Sequence, residues 1–263
     1  MKYVILYSYF ESQNSISNLL YFVKNGIYLN ENNDVYYVFI INSNVCKVNI
    51  PEYSNIKIIK RNNIGRDFGA WSCGLKYIIE NFDKDYFDKY IFINDTVIGP
   101  FLPRYLTNST MNYSSYHWYF LFCNLLNDKT KLSGLTINYK PMGRENYTRH
   151  VQSMMFCTDN IGLNLLISNK ILMDNENVYE SEAKKSKFNY ILKYEIEMSK
   201  VILDNGYNIS ALSLSENKKH KIEDVWYNSN IYFKDNINPL ETIFYKNNRF
   251  KTNIYNIYMK YFF

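Results

Sequence analysis

A single carboxylate interrupts the apolar face of the helix that the sequence predicts over residues 187–204. Apolar side chains recur there at steps of three and four, and Glu195 falls on their stripe between Ile191 and Met198. A charge on a packed face costs free energy unless it has a partner or a function. Desolvation raises the pKa of a carboxyl group, which suits a general base that deprotonates a hydroxyl group. An ion pair with a lysine or arginine is the structural alternative, and Glu197 is expected in solvent on the other side of the helix.

The turn at residues 62–67 places a glycine, an arginine and an aspartate between a predicted strand and a predicted helix. Gly65 permits a tight turn, the amides that begin a helix can face a phosphate, and Arg66 can bind one through two hydrogen bonds. Asp67 is expected to be the N-cap residue of the helix. An ordinary strand-to-helix turn with an exposed arginine explains the same residues, so the turn by itself is weak evidence for anion binding.

A further polar group, Asn94 and Asp95, ends a predicted strand whose apolar residues indicate deep burial. The Asp95 carboxylate is a candidate ligand for Mg²⁺ or Mn²⁺, because such ions keep several waters and are held by few carboxylates together with substrate phosphates. The structural alternative is that Asp95 caps the turn before Gly99. We therefore predict a divalent cation at Asp95 and keep the turn cap as the alternative.

The order of the predicted elements indicates an α/β fold. Short apolar runs alternate with helical spacing in the first half of the chain, as in βαβ units with parallel strands. Strands are predicted at 3–9, 35–41, 56–60, 90–94, 132–138, 151–158 and 208–212, and helices at 14–28, from 67 onward, at 159–167 and at 187–204. Parallel sheets bind ligands beyond the carboxyl ends of their strands. We therefore expect the groups that end strands one, three and four to meet at one edge: Ser8, Tyr9, residues 62–67 and residues 94–96.

Composition and motifs exclude several classes of protein. The formal net charge is +5 and no block of like charges occurs, which argues against a nucleic-acid binder. The four cysteines lack the spacing of a zinc site or a disulfide framework. No Walker loop, GxGxxG or GxSxG motif is present, which argues against the usual kinases, dehydrogenases and α/β-hydrolases. No apolar run approaches about 18 residues and no leader pattern opens the chain, so we expect no membrane span and a cytoplasmic location.

Six blocks, in this order, resemble the rhamnan-synthesis-protein-F-like glycosyltransferases of bacterial polysaccharide clusters, algae and giant viruses. Residues 61–71, RNNIGRDFGAW, are similar to the N-x-G-x-D-x-G-A-W signature of that family. Residues 92–103, FINDTVIGPFLP, are similar to its N-[DS]-S-v-x-G-P-f-x-P block. The later blocks lie at 131–138, 150–154, 194–207 and 239–244, so the resemblance runs from residue 3 to 250.

The resemblance implies a GT-A-like fold: one α/β domain over residues 1–250, with a mainly parallel mixed sheet flanked by helices. Residues 251–263 are then an aromatic tail that packs on the domain or in an interface. In the wider inverting group an Asp-x-Asp motif binds metal where this chain has Asn94-Asp95-Thr96, with a single acid. A Glu-Asp pair supplies the base where this chain has Tyr194-Glu195, so the resemblance and the helical position select the same glutamate.

These expectations combine into one hypothesis. The chain would move a hexosyl or deoxyhexosyl group from a nucleotide-diphosphate sugar to a carbohydrate acceptor in polysaccharide or glycan synthesis, with inversion. Glu195 is the expected catalytic base and Asp95 the expected metal ligand. The residues expected around the donor are Ser8, Tyr9, Asn63, Gly65, Arg66, Asp67, Asn94 and Asp95, and those around the acceptor are Trp118, His150 and Gln152. The alternatives are a non-catalytic nucleotide-sugar or carbohydrate-binding module of the same fold, and a phosphotransferase of surface-polysaccharide assembly.

Overall fold

The computed structural model describes residues 1–28, 34–102, 117–138, 149–213 and 242–246. Within these ranges the strands are β1 (Tyr3–Tyr9), β2 (Val35–Ile41), β3 (Ile56–Lys60), β4 (Lys89–Asn94), β5 (Thr130–Gly134), β6 (Ile137–Asn138), β7 (His150–Val151), β8 (Met155–Asp159) and β9 (Asn208–Ala211). The proposed tail, residues 251–263, and residues 239–241 of the last block lie outside the described ranges. The division of the chain at residue 250 therefore stays a prediction.

Seven of the described strands form one sheet in the order β3-β2-β1-β4-β8-β5-β9. The pairs β1–β2, β1–β4, β2–β3 and β5–β9 are parallel, whereas β8 runs antiparallel to both β4 and β5. Only β8 is therefore reversed among the seven. The predicted fold class, an α/β fold with a mainly parallel mixed sheet flanked by helices, is confirmed, and the first three strands match their predicted bounds.

Two predicted strands are wrong in extent, because each is divided in the structure. In the predicted strand 132–138, β5 ends at Gly134 and β6 begins at Ile137. The predicted strand 151–158 is divided in the same way between β7 and β8. The glycine at this break permits close packing, since a Cβ atom on Gly134 would lie 2.4 Å from Cγ1 of Val151. The ribbon of β6 and β7 packs directly over this point and pairs Asn138 with His150.

The described helices are α1 (Gln13–Asn25), α2 (Arg66–Asn81), α3 (Phe120–Cys123), α4 (Asn160–Ser168), α5 (Glu176–Lys185), α6 (Lys187–Tyr190) and α7 (Glu197–Asp204). A π-helical segment, Ile191–Ile196, joins α6 to α7, so the predicted helix over 187–204 is confirmed in extent but not in regularity. The sequence analysis missed α5, whose periodic signal is weak because only Tyr179 is buried. None of the helices in the described ranges has both the length and the apolar character that crossing a membrane requires.

Helices cover both faces of the sheet. One core cluster packs α1, α3 and residues 243–245 against the sheet and includes the fully buried Trp118. The other cluster packs α2, α4 and the π segment with α7 against the opposite face, around Trp71. Because both faces are covered, the strands of the parallel half are apolar along nearly their whole length.

The turn from β3 into α2 depends on two consecutive residues in the left-handed region. Gly65 has φ 69° and Arg66 has φ 48°, and Gly65 is the N-cap residue of α2. The predicted N-cap at Asp67 is therefore wrong. The helix starts two residues earlier than predicted because Gly65 reaches a positive φ without a Cβ clash. The turn is closely packed, because a Cβ atom on Gly69 would lie 2.3 Å from the carbonyl oxygen of Ile64.

We predict that Gly65→Ala destabilises the protein more than Gly206→Ala does. Both glycines have positive φ, which costs other residues about 1–2 kcal/mol. A Cβ atom at Gly65 would also lie 2.3 Å from Cβ of Tyr179, whereas one at Gly206 would meet nothing within 4 Å. Overpacking adds about 1–3 kcal/mol to the loss. Free energies of unfolding from denaturant titration measure both, and equal losses would contradict the packing of α5 on the turn.

Candidate functional site

A cavity of about 450 Å³ opens beside the carboxyl ends of β1 and β4. Its size is within the range of about 300–1,000 Å³ that small-molecule sites occupy. Six of the predicted site residues line it: Arg66, Asp67, Asn94, His150, Gln152 and Glu195. The sequence analysis did not select the other polar groups of its wall: Thr96, Asn138, Ser153, Lys187, Tyr190 and Lys246.

Asp67 joins the first turn of α2 to the ends of two strands. Its Oδ1 accepts a hydrogen bond from Ser8 Oγ at 3.2 Å, and its Oδ2 accepts one from Asn94 Nδ2 at 3.0 Å. Ser8 and Asn94 are neighbours in the parallel pair of β1 and β4. Burial raises the pKa of Asp67, and the two hydrogen bonds and the charges of Lys246 and Arg66 act against that rise. The predicted meeting of strand ends at one edge is confirmed here.

Asp95 does not line the cavity. Its Oδ2 accepts a hydrogen bond from the backbone N–H of Phe10 at 2.5 Å, and its backbone carbonyl accepts one from Asn18 Nδ2 at 2.7 Å. Burial, together with the charge of Asp67, raises the pKa of Asp95 to about 7. The carboxylate thus joins the turn after β4 to the residue that follows β1, which differs from the cap before Gly99 that was the structural alternative.

The described residues do not fit a divalent cation at the predicted place. Asn94 Oδ1 accepts hydrogen bonds from the N–H and the hydroxyl group of Thr96 at 3.1 and 2.5 Å, so the amide oxygen is turned to its own loop. Mg²⁺ and Mn²⁺ prefer carboxylate and carbonyl oxygens. In the part of the chain that the structure describes, no group of three or more His, Cys, Asp or Glu side chains is arranged to hold a metal ion.

Arg66 lies at the rim of the cavity beside an aromatic ring. Its guanidinium carbon is 5.7 Å from the ring centroid of Tyr190. The Tyr190 hydroxyl group donates a hydrogen bond to the carbonyl oxygen of Gly65. Tyr190 therefore holds the turn from β3 into α2. The basic side chains of the cavity wall, Arg66, Lys187 and Lys246, are groups that can bind an anion.

Glu195 reaches the cavity from the π segment. Its Oε2 accepts hydrogen bonds from the N–H of Ser153 at 3.2 Å and from the Ser153 hydroxyl group. Its Oε1 lies 3.7 Å from Nε2 of His150, and 17% of the side chain is exposed. The partner that the structural alternative required is thus a histidine, in place of a lysine or arginine.

The pKa of Glu195 is lowered, so the predicted rise is wrong. Burial acts to raise it, but the hydrogen bonds and charges of His150, Ser153 and Lys246 together outweigh burial. Glu195 also lies at the edge of the packed face, because the wide turns of the π segment displace it from the regular stripe. Glu197 is half-exposed and pairs with Lys200, as expected for the solvated side.

Six predicted residues do not line the cavity: Ser8, Tyr9, Asn63, Gly65, Asp95 and Trp118. Tyr9 is fully buried in the core, with its hydroxyl group bonded to Glu11, and Trp118 is fully buried with Nε1 bonded to the carbonyl oxygen of Gly26. Asn63 is exposed in the loop before α2, and Gly65 is buried under Tyr179. Ser8 acts through Asp67. Trp118 and Tyr9 are therefore core residues, and neither contacts a ligand in the cavity.

Sequence signals were present for three of the missed residues. Ser153 lies inside the block at 150–154, but only the histidine and the glutamine of that block were selected. Lys246 follows the last block by two residues, and Lys187 opens the predicted helix that carries Glu195. None of the three could be assigned to the cavity without the packing.

We predict that Ser153→Ala destabilises the fold more at pH 7 than at pH 4. A folded-state pKa below the usual 4.5 means that ionised Glu195 stabilises the fold above that pH, and the contribution is lost as the pH falls through the folded-state pKa. A hydrogen bond to a charged group contributes about 1.5–3 kcal/mol. Ser153→Thr keeps the hydroxyl group and serves as the control. Unfolding free energies at the two pH values check this, and equal losses at both would contradict it.

Most of the sequence is similar to a known protein family. The sequence model of the family described as rhamnan synthesis protein F matches residues 37–260. The virulence protein VirA of Vibrio anguillarum is 25% identical over 188 residues, which are 69% of this chain and 50% of that protein. The chain thus spans about half the length of the curated relatives it matches.

Solved structures with a similar arrangement have low sequence identity. They include the mannosyltransferase PcManGT from Pyrobaculum calidifontis in complex with GDP-Man and Mn²⁺, with a TM-score of 0.42, 6% identity, and coverage of 80% of this chain and 54% of that one. Residues 1–349 of S. aureus TarS give a TM-score of 0.39, 12% identity, and coverage of 81% and 61%. Because the family model matches most of the sequence, this chain belongs to the rhamnan synthesis protein F family.

Proposed function

We propose that this chain transfers a sugar from a nucleotide-diphosphate donor to a carbohydrate acceptor in polysaccharide or glycan synthesis, with inversion at the anomeric carbon. Family membership supports the reaction class. One observation carries the mechanism: the Glu195 carboxylate, held by Ser153, lines the same cavity as three basic side chains, Arg66, Lys187 and Lys246. A base for a hydroxyl group and a binding wall for a diphosphate are the two requirements of this reaction.

The basic side chains are the proposed donor site. A nucleoside diphosphate is anionic, and charge-assisted hydrogen bonds from arginine and lysine are its usual partners. An ionised Asp67 can only accept hydrogen bonds, so it is suited to hold a hydroxyl group of the ribose or the sugar. Asn94 keeps Asp67 in place through their hydrogen bond at 3.0 Å. The divalent cation implied by the resemblance has no donor set among the described residues, and we assign it no step.

Glu195 is the proposed catalytic base. Its Oε2 is occupied by two donors from Ser153, so Oε1, on the side of His150, is the atom left for an acceptor hydroxyl group. As the hydroxyl oxygen bonds to the anomeric carbon, its proton passes to Glu195. The bond between that carbon and the diphosphate oxygen breaks, and its electron pair leaves with the nucleoside diphosphate. A single displacement of this kind inverts the anomeric carbon.

His150 and Gln152 are the proposed acceptor contacts. Both side chains line the cavity, and Gln152 Oε1 accepts a hydrogen bond from Thr136 Oγ1 at 2.8 Å. That bond fixes the amide so that its nitrogen is the group available to donate to a sugar oxygen.

The lowered pKa of Glu195 keeps the carboxylate ionised at neutral pH, which a base requires before it can accept a proton.

We predict that Arg66→Ala weakens the binding of a nucleoside diphosphate by about tenfold to a hundredfold. A charge-assisted hydrogen bond contributes about 1.5–3 kcal/mol, and every 1.4 kcal/mol is about a factor of ten. Isothermal titration calorimetry with GDP, UDP, ADP, CDP and dTDP provides the measurement. Lys76→Ala is the control, because Lys76 is exposed on the same helix and pairs with Glu80 at 3.9 Å. Equal affinity in the wild type and Arg66→Ala would remove Arg66 from the donor site.

We predict that Glu195→Gln lowers the rate of sugar transfer by about 10²–10⁴, the usual contribution of a positioned base. Glutamine keeps the shape and accepts the Ser153 hydrogen bonds but cannot take the proton. Nucleoside diphosphate binding and the melting temperature should change little. Glu197→Gln, on the other side of the helix, is the matched control.

Two results would overturn the assignment of Glu195. If Glu195→Gln loses about 3–5 kcal/mol of stability while its folded fraction turns over normally, the residue is a structural ion-pair partner of His150. If the wild type binds nucleotide-sugars but transfers nothing to any acceptor, the chain is the non-catalytic binding module. Product mass separates both from a phosphotransferase, because that reaction would add a sugar phosphate.

A further inference from the structure

The short segment Thr242–Lys246 is fastened to the residues that follow β4. The N–H of Ile98 donates to the carbonyl oxygen of Tyr245 at 2.9 Å, and the N–H of Tyr245 donates to the carbonyl oxygen of Ile98 at 3.1 Å. A third bond joins the N–H of Phe101 to the carbonyl oxygen of Ile243 at 2.7 Å. Both aromatic side chains of the segment are buried. The backbone that carries the final lysine is therefore fixed beside the loop after β4.

Lys246 lies among the acidic side chains of the site. It lines the cavity together with Asp67 and Glu195, and the loop residue Thr96 lines the same cavity. Burial is the larger influence on the pKa values of Asp67 and Asp95 and raises both, while the positive charge of Lys246 acts against it. The same charge contributes to the lowered pKa of Glu195. The wall of the cavity thus brings one ammonium group together with the carboxyl groups of Asp67 and Glu195.

The loop after β4 stands where the resemblance places a metal-binding motif. The chain has Asn94, Asp95 and Thr96 there, and the one carboxylate is bonded to the N–H of Phe10 instead of lining the cavity. A cation-binding site needs oxygen ligands that face the ion. Lys246, beside this loop, supplies positive charge as a bound cation would, and it requires no oxygen ligands to hold it in place.

We propose that Lys246 takes the role of the divalent cation: its ammonium group binds the donor diphosphate, and transfer proceeds without metal. This inference rests on the proposed function. As the bond from the anomeric carbon to the diphosphate breaks, the leaving oxygen gains negative charge, and Lys246 neutralises it. The proton of the acceptor hydroxyl group goes to Glu195, so no further co-reactant is needed.

The test uses the whole chain after treatment with EDTA. Binding of GDP, UDP, ADP, CDP and dTDP is measured by calorimetry in EDTA and again with added Mn²⁺, and transfer is measured with the sugar donors of the nucleotide that binds. Lys246→Met removes the charge at similar length, and Lys246→Arg restores a charge. Lys200→Met is the control, because Lys200 pairs with Glu197 and Asp204 and is not part of the cavity wall.

We expect equal wild-type affinity and turnover in EDTA and in Mn²⁺. Lys246→Met should lower affinity by about tenfold to a hundredfold, measured at a temperature at which wild type and variant are both folded, with partial recovery in Lys246→Arg. Binding or turnover that requires Mn²⁺ overturns the inference and leaves the proposed function standing. Unchanged affinity and turnover in Lys246→Met also overturn it. Absence of nucleoside diphosphate binding and transfer under every condition refutes the proposed function and the inference with it.

Discussion

Asp67 ties the first turn of α2 to the carboxyl ends of β1 and β4 through its hydrogen bonds with Ser8 and Asn94. The carboxylate is largely withdrawn from water, so these donors and the nearby cations are what make its burial tolerable. Without it, the Ser8 hydroxyl group and the Asn94 side-chain nitrogen would lose the acceptor of their hydrogen bonds at the carboxyl ends of β1 and β4. The position of the strand ends relative to the helix, and hence the shape of the cavity, depends on this contact.

A buried carboxylate is also held by a specific donor on the other side of the cavity, where Glu195 is bonded to Ser153 and lies near His150. Each acidic group here has a specific donor, and Lys246 contributes positive charge to all of them. Such an arrangement can accept one proton at Glu195 and hold one anion at the basic side chains. The proposed transfer reaction uses both properties, and our proposal for Lys246 supplies positive charge where the sequence has a single acid, Asp95.

The sequence predicted the sheet well because its strands are short, apolar and separated by clear turns. Glu195 was found from the spacing of the apolar residues on its helix, yet the predicted direction of its pKa shift was wrong. The direction of the shift depends on His150, Ser153 and Lys246, which are all distant from Glu195 in the chain. Trp118 was misassigned because an aromatic residue in a loop gives no sign of whether it faces a core or a ligand. Lys246 could not be assigned to the site from the sequence. Its position is set by the backbone pairing of the preceding residue, Tyr245, with Ile98, which is far away in sequence.

The central claim is that Glu195 deprotonates an acceptor in a single displacement on a nucleotide-sugar. The most direct measurement is the anomeric configuration of the product, determined by NMR after incubating the wild-type chain with a panel of nucleotide-sugars and oligosaccharide acceptors. The account predicts a glycoside with the configuration opposite to that of the donor and release of the free nucleoside diphosphate. A product with retained configuration, or one that carries a sugar phosphate, would contradict it.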